Sequence, residues 1–175
     1  KDWPLLEKVA DASMPTIFST GGLNLNEIDD VVSFFDHRGV DYAIMHCVSV
    51  YPTPDDQLAL NQIDVFRRRY PKTAIGWSTH EEQDNYDAVQ VALAKGACIF
   101  ERHVGVETTD IKLNAYSSNP DQLDKWIASA KRAEVMCGKT YNRVSSSVET
   151  EALNSLRRGV YAKSNVNSEA VLTES

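Results

Sequence analysis

Four short stretches of this chain end in residues that can bind an anion, hold a cation or move a proton. Ser19-Thr20-Gly21-Gly22 offers a hydroxyl beside a glycine turn, where backbone N–H groups can approach an anion. Ser49-Val50-Tyr51, Ser78-Thr79-His80 and Glu101-Arg102-His103 each carry functional groups two positions apart. In an extended strand that spacing puts both side chains on one face, so Ser49 pairs with Tyr51, Ser78 with His80, and Glu101 with His103. Histidines on neighbouring parallel strands, about 4.8 Å apart, can reach one cation that binds imidazole nitrogen at about 2.1 Å.

Each position has a plainer reading as well. Serine after a strand is common turn chemistry, a single histidine is usually a hydrogen-bonded structural residue, and Glu101-Arg102 can be an exposed ion-pair set at a sheet edge. His37, beside Arg38-Gly39, reads as a solvated helix end. His46, one register from Cys47 and Ser49, is expected to face the helices and satisfy itself there.

The elements that must position these residues alternate in type. Pro4 to Ala12 reads as a helix, and Pro15 to Ser19 as a strand closed by Gly21-Gly22. Asn24 or Asn26 can cap a helix on which Ile28, Val31, Val32 and Phe35 recur at helical spacing, and Gly39 ends it. Tyr42 to Val50 is a strand stopped by Pro52 and Pro54, and Leu58 to Tyr70 is helical. Thr73 to Ser78, a helix over Tyr86 to Lys95 and a strand over Cys98 to Val104 follow. The last helix, Pro120 to Cys137, points Leu123, Trp126, Ile127 and Ala130 inward, and Gly138 caps it. Repeated strand-helix order means parallel strands joined by crossover helices, an α/β domain whose chemistry sits where the strands end. After residue 138 a Ser-rich polar linker over 139–155 is expected, then a strand-like start from Arg157 to Val166 in a segment, 156–175, too short to bury a core.

Composition narrows the function. A formal net charge of -7 argues against a sequence-independent hold on nucleic acid or on anionic lipid. Cys47, Cys98 and Cys137 form no CxxC pair and are expected as three buried, reduced thiols. No apolar run approaches membrane-span length and no signal-peptide pattern opens the chain, so a cytoplasmic protein is expected.

At the four strand ends the sequence resembles the sialic acid synthase family, which includes the N-acetylneuraminate, legionaminate and pseudaminate synthases. PTIFSTGG stands against the family's PVIxSTGM, IMHCVSVYPTP against LLHCVSEYPTP, GWSTH against GLSDH and GACIFERHV against GAxxIEKHF. The order of the motifs is also that of the family, and Leu156-Arg157-Arg158 resembles its entry into a C-terminal antifreeze-like domain. The resemblance implies strands 5 to 8 of a (β/α)₈ barrel over residues 1–138.

The implied reaction condenses phosphoenolpyruvate with an N-acylated amino sugar, such as N-acetylmannosamine, and releases phosphate, for surface polysaccharide biosynthesis. By the resemblance His80 and His103 hold Mn²⁺ or Mg²⁺, Ser19, Ser49 and Ser78 contact phosphoenolpyruvate, Tyr51 lines the sugar pocket, and Glu101 orients the site by hydrogen bonding. The family's Asp before the first histidine is Thr79 here, so a carboxylate next to the metal is expected to be lost. Its PGPDHAAS loop is replaced by Thr109 to Ser117, where Asn114 or Asp110 takes its place toward the acceptor. The full-length enzyme is expected to be a homodimer in which a partner's antifreeze-like domain contributes an arginine, and half a barrel alone is expected to be inactive. Two rivals remain: a non-catalytic sugar-binding or assembly homologue, which Thr79 and the altered loop favour, and a metal-dependent hydrolase, since paired barrel histidines commonly serve a metal hydroxide.

Overall fold

The computed structural model describes residues 2–138, 142–159 and 161–171. Four parallel strands, β1 (Thr16–Ser19), β2 (Tyr42–Cys47), β3 (Ala74–Thr79) and β4 (Ile99–Arg102), lie side by side in chain order. The helices between and around them are α1 (Trp3–Asp11), α2 (Leu25–Arg38), α3 (Asn61–Arg69), α4 (Asp87–Ala94) and α5 (Pro120–Cys137). Sequential parallel pairing of this kind requires a crossover after each strand, as the alternating pattern implies.

Local chemistry sets the helix limits. Asn24, not Asn26, caps α2: its side chain accepts from the Glu27 backbone N–H at 3.1 Å while the Glu27 carboxylate accepts from the Asn24 N–H at 3.0 Å. Gly39 ends α2 in the left-handed region at φ 66°, where a side chain would be strained. Asn119 and Gln122 build the same reciprocal cap on α5, with Pro120 in the first turn, where its missing N–H costs nothing. The helix expected from Leu58 begins only at Asn61, because Ala59 has φ 48° and a short 3₁₀ turn over Asp55–Gln57 precedes it. Among the described residues no helix is long and apolar enough to cross a membrane.

The pleat divides the sheet into two faces. Ile44, His46, Ile75, Trp77 and Phe100 point toward the helices and pack with Ile28, Ile63, Phe66, Val89 and Trp126. Ile17, Met45, Gly76, Cys47, Ser78 and Glu101 take the alternate positions on the other face, and there the register aligns Cys47 with Ser78 and Ser78 with Glu101. Gly76 cannot carry a side chain, since a Cβ there would lie 2.2 Å from the Met45 sulfur and 2.6 Å from the Ile99 carbonyl.

His46 lies on the helix face as expected, buried, with Nε2 donating to the Leu58 carbonyl at 2.8 Å. Burial pushes its pKa below the ordinary 6.5, and the Leu58 carbonyl only partly opposes this. The unfolded chain therefore takes up a proton at this residue that the folded chain refuses, so stability fully present above about pH 6.5 is lost progressively as pH falls below it, down through the lowered folded value. The urea midpoint of the native chain should decline more steeply from pH 7 to pH 5.5 than that of His46→Gln, which keeps a donor for Leu58 without a titrating ring. Equal slopes would remove His46 as the source.

Other sequence-based expectations fail. Cys98 and Cys137 are exposed and Cys47 is half-buried, because Cys98 precedes β4 and Cys137 closes α5, both at element ends rather than in the core. The stretch over 139–155 is not a plain linker: compact units divide at 139/140, and the second contains a helix, α6 (Ser147–Leu156), capped by Ser146, which accepts from the Glu149 N–H at 3.2 Å. Lys139, Thr140 and Tyr141 lie outside the described residues. From Arg157 to Val166 the described residues form no strand, and Val160 lies outside them. Among the described residues of this unit there is no other strand, so an extended segment has nothing there to pair with.

Candidate functional site

The strand ends bring most of the expected residues to one place. Ser78, buried on the inner face, donates its hydroxyl to the Glu101 carboxylate at 3.0 Å, across the β3–β4 register that pairs them. One residue beyond β3, His80 is 5% exposed, and its ring centre lies 5.1 Å from that of His103, one residue beyond β4. His80 Nδ1 sits 3.1 Å from the Val48 carbonyl. A carbonyl only accepts, so this bond assigns the proton to Nδ1 and leaves Nε2 with a free lone pair. Burial holds the ring's pKa below its ordinary value, with the Val48 bond opposing and the nearby His103 adding to the shift. A neutral imidazole with its other nitrogen fixed on a carbonyl is the form that binds a metal ion.

Tyr51 packs on His80. Its ring centre is 4.2 Å from His80, and the loop that carries it is stapled down by Thr53, whose N–H donates to the His80 carbonyl at 2.9 Å. The Thr53 hydroxyl closes the turn on the Val50 carbonyl at 2.7 Å. Ser19 and Ser49 are exposed at the ends of β1 and β2. Gly21 leaves room for the Ser49 hydroxyl: a Cβ there would fall 2.3 Å from Ser49 Oγ and 3.1 Å from Cys47 Sγ.

Several site groups were not anticipated from the sequence. Tyr116, on the loop after β4, sets its ring edge-on to both histidines, 5.1 Å from His103 and 6.1 Å from His80, and 5.2 Å from Tyr51. That loop is docked by the Ser118 N–H on the His103 carbonyl at 3.0 Å and by the Gln83 side chain on the Asn114 carbonyl at 2.6 Å. Asn114 itself is exposed, and its side-chain oxygen accepts the Tyr116 N–H at 3.2 Å, so it shapes the turn that presents the tyrosine. Asp110 is exposed farther along the same loop. Loops carry no periodicity, so nothing in the sequence could aim Tyr116.

The reading of Glu101-Arg102 as a surface ion-pair set is corrected. Glu101 bonds Ser78, whereas Arg102 turns to the helix face and pairs with Glu81, the two side chains being 2% and 0% exposed. At the position of the family's Asp, the Thr79 hydroxyl donates to the carboxylate of Glu81, which lies on the helix face. Burial pushes the Glu81 carboxyl above its ordinary pKa, with the Arg102 guanidinium and the Trp126 N–H opposing. The period of two did hold this signal, since it puts Thr79, Glu81 and Arg102 together on the face opposite the histidines.

His80 and His103 are the residues that could hold a cation. Two imidazoles sharing one ion at about 2.1 Å each have ring centres roughly 5 Å apart, which their 5.1 Å separation meets. Among the described residues no group of three or more His, Cys, Asp or Glu side chains forms a closed cage. A two-imidazole site leaves the remaining positions to water and to oxygen atoms of a substrate.

Most of the chain is similar to sialic-type acid synthases and their relatives. It is 28% identical over 190 residues to N-acetylneuraminate-9-phosphate synthase of Drosophila melanogaster, covering 95% of this chain and 50% of the fly protein. A Chromobacterium violaceum crystal structure described as spore coat polysaccharide biosynthesis protein E superposes with TM-score 0.86 at 47% identity, over 91% of this chain and 47% of that one. The N-acetylneuraminic acid (sialic acid) synthetase of Leptospira borgpetersenii, solved in complex with citrate, gives TM-score 0.78 at 30% identity, over 90% and 55%. The chain thus spans about half the length of the relatives it matches. Against their structures the four strands are a curled parallel half-barrel. Residues 1–142, which hold every strand found among the described residues and the whole of the site, match the NeuB family, and this chain belongs to it.

Proposed function

We infer that the chain supplies half of the active barrel, strands 5 to 8, of an enzyme that joins phosphoenolpyruvate to an N-acylated amino sugar. The product is a nonulosonic acid of the sialic type, with inorganic phosphate released. The observation that carries this reading is the convergence of Ser78 with Glu101 and of His80 with His103 at adjacent strand ends, with Tyr51 packed on His80. The synthase names of its relatives support the reaction class.

In this reaction C3 of phosphoenolpyruvate bonds to the aldehyde carbon of the open-chain sugar, water adds at C2, and phosphate leaves with cleavage of its C–O bond. His80 and His103 would hold Mn²⁺ or Mg²⁺, which when bound supplies Lewis acidity toward the aldehyde oxygen. Ser19, Ser49 and Ser78 donate to the carboxylate and phosphate oxygens of phosphoenolpyruvate and hold it against the acceptor. Ser78 must first turn, because its hydroxyl donates to Glu101. Glu101 therefore sets where that hydroxyl points until the anion displaces it. Tyr51 offers an exposed ring to the sugar, and Asn114, with its oxygen on the Tyr116 N–H, keeps its amide N–H groups for the acceptor.

The decisive assay is phosphate release by the protein at its natural length, with phosphoenolpyruvate and Mn²⁺, with and without N-acetylmannosamine. Sugar-dependent release is expected. Release without sugar would fit the hydrolase instead, and no release with any N-acylated hexosamine would fit a binding homologue without turnover. Gly21→Ala should keep the fold, because the Ser49 hydroxyl can rotate away from the new methyl, but at the expense of its contact with the anion. Losing one hydrogen bond to a charged group weakens phosphoenolpyruvate binding by about tenfold or more, on about 1.5–3 kcal/mol, and calorimetric titration reads it directly.

A further inference from the structure

We propose that the buried Glu81–Arg102 ion pair is a positioning device that fixes the separation of His80 and His103 and thereby sets their affinity for a divalent cation. The inference rests on the metal reading above. The two histidines need such a device because the sheet does not hold them. β3 ends at Thr79 and β4 at Arg102, which are register partners, so each histidine lies one residue past the last paired position. Their carbonyls accept from Thr53 and Ser118, on other segments, and not from each other's strand. A side-chain link joins the two chain ends at this level: Glu81, next to His80, is bonded to Arg102, next to His103.

The pair is locked on every side. The Glu81 carboxylate accepts from Arg102, from the Thr79 hydroxyl and from the Trp126 indole N–H at 3.1 Å. The Arg102 guanidinium also donates to Ser118 Oγ at 2.7 Å and to the carbonyls of Glu82 and Gln83 at 3.2 and 3.1 Å, and it lies 5.5 Å from the Trp126 ring centre. The fork of one arginine thus ties β4 to the segment after β3 and to the Ser118 segment that seats Tyr116. A buried ion pair is poor at adding stability, and apolar residues of similar bulk commonly replace it at no loss. Its planar, directional bonds do specify one geometry, which packing alone leaves loose.

The experiment separates the two roles on the full chain. Glu81→Leu/Arg102→Met removes both charges and keeps the bulk. It should unfold in urea near the native midpoint, yet bind Mn²⁺, followed by electron paramagnetic resonance, about 10- to 100-fold more weakly, the usual effect of losing a partner behind metal ligands. In the metal-free protein the nuclear Overhauser contact between the His80 and His103 rings should weaken, while the His37 and His46 signals stay in place. Native Mn²⁺ affinity with an intact ring contact would overturn the proposal and leave the pair a packing element. If that double variant does not fold, Arg102→Lys, which keeps the charge but loses the fork, takes its place: a several-fold loss of Mn²⁺ affinity supports positioning, and native affinity overturns it. A native chain that binds no Mn²⁺ refutes the metal reading instead, and the ring contact then decides the positioning by itself.

Discussion

Replacing His80 and His103 together by alanine should reduce sugar-dependent phosphate release by about a thousandfold or more, since a Lewis acid contributes several kcal/mol and each 1.36 kcal/mol is about tenfold in rate. Each single variant should lose nearly as much, because one imidazole of a two-imidazole site does not retain the ion and groups that act as a unit are not additive. The single variants also control for folding. His103 is exposed, and its ring touches the fold through His80 and Tyr116, so His103→Ala should leave thermal unfolding within about 0.5 kcal/mol of native. His80 is buried under Tyr51, and its truncation opens a gap there. A His103→Ala protein that keeps the native rate would remove the pair as metal ligands. One that is stable and inactive would establish that the loss is chemical.

Trp77→Ala is expected to be the most damaging single change to the fold, lowering stability by about 3–5 kcal/mol. Trp77 is 2% exposed, lies in register between His46 and Phe100 on the helix face, and belongs to the main apolar cluster. It is also the residue before Ser78, so the cavity would open directly behind the site. Set against the roughly 5–15 kcal/mol that domains possess, that loss would bring the chain close to unfolding, and urea titration followed by far-ultraviolet circular dichroism measures it. A loss under about 1 kcal/mol would mean that the helices close over the gap, which their packing against the sheet does not suggest.

Most of the fold could be read along the chain because helical and strand periods are local. The pattern of Ile28, Val31, Val32 and Phe35 with a capping Asn and a closing Gly specifies α2, and the structure buries those four residues. Errors fall where a pattern outruns its partners. Val48 to Val50 continue the apolar run of β2, yet β2 stops at Cys47, since β1 has already turned away at Gly21-Gly22 and the His80 carbonyl beyond β3 is taken by Thr53. The helix expected from Leu58 is delayed by Ala59, whose positive φ accompanies a Leu58 carbonyl turned to His46. Neither event has a signature in residue type alone.

By itself the sequence determined the parallel order of the strands, the two faces of each, and hence that Ser78 and Glu101 share one face with His80 and His103 beyond them. A period of two requires as much once the strands are parallel. Only the tertiary structure decided whom the charged residues choose. Arg102 could have met solvent or Glu101, but the twist and register carry it to Glu81, which lies 21 residues earlier. Tyr116 reaches the histidines, and Asn114 is drawn into its turn, because Ser118 docks on the carbonyl of His103. Faces follow from backbone periodicity, which is local, whereas partners follow from distances between segments remote in the chain, which no local pattern encodes.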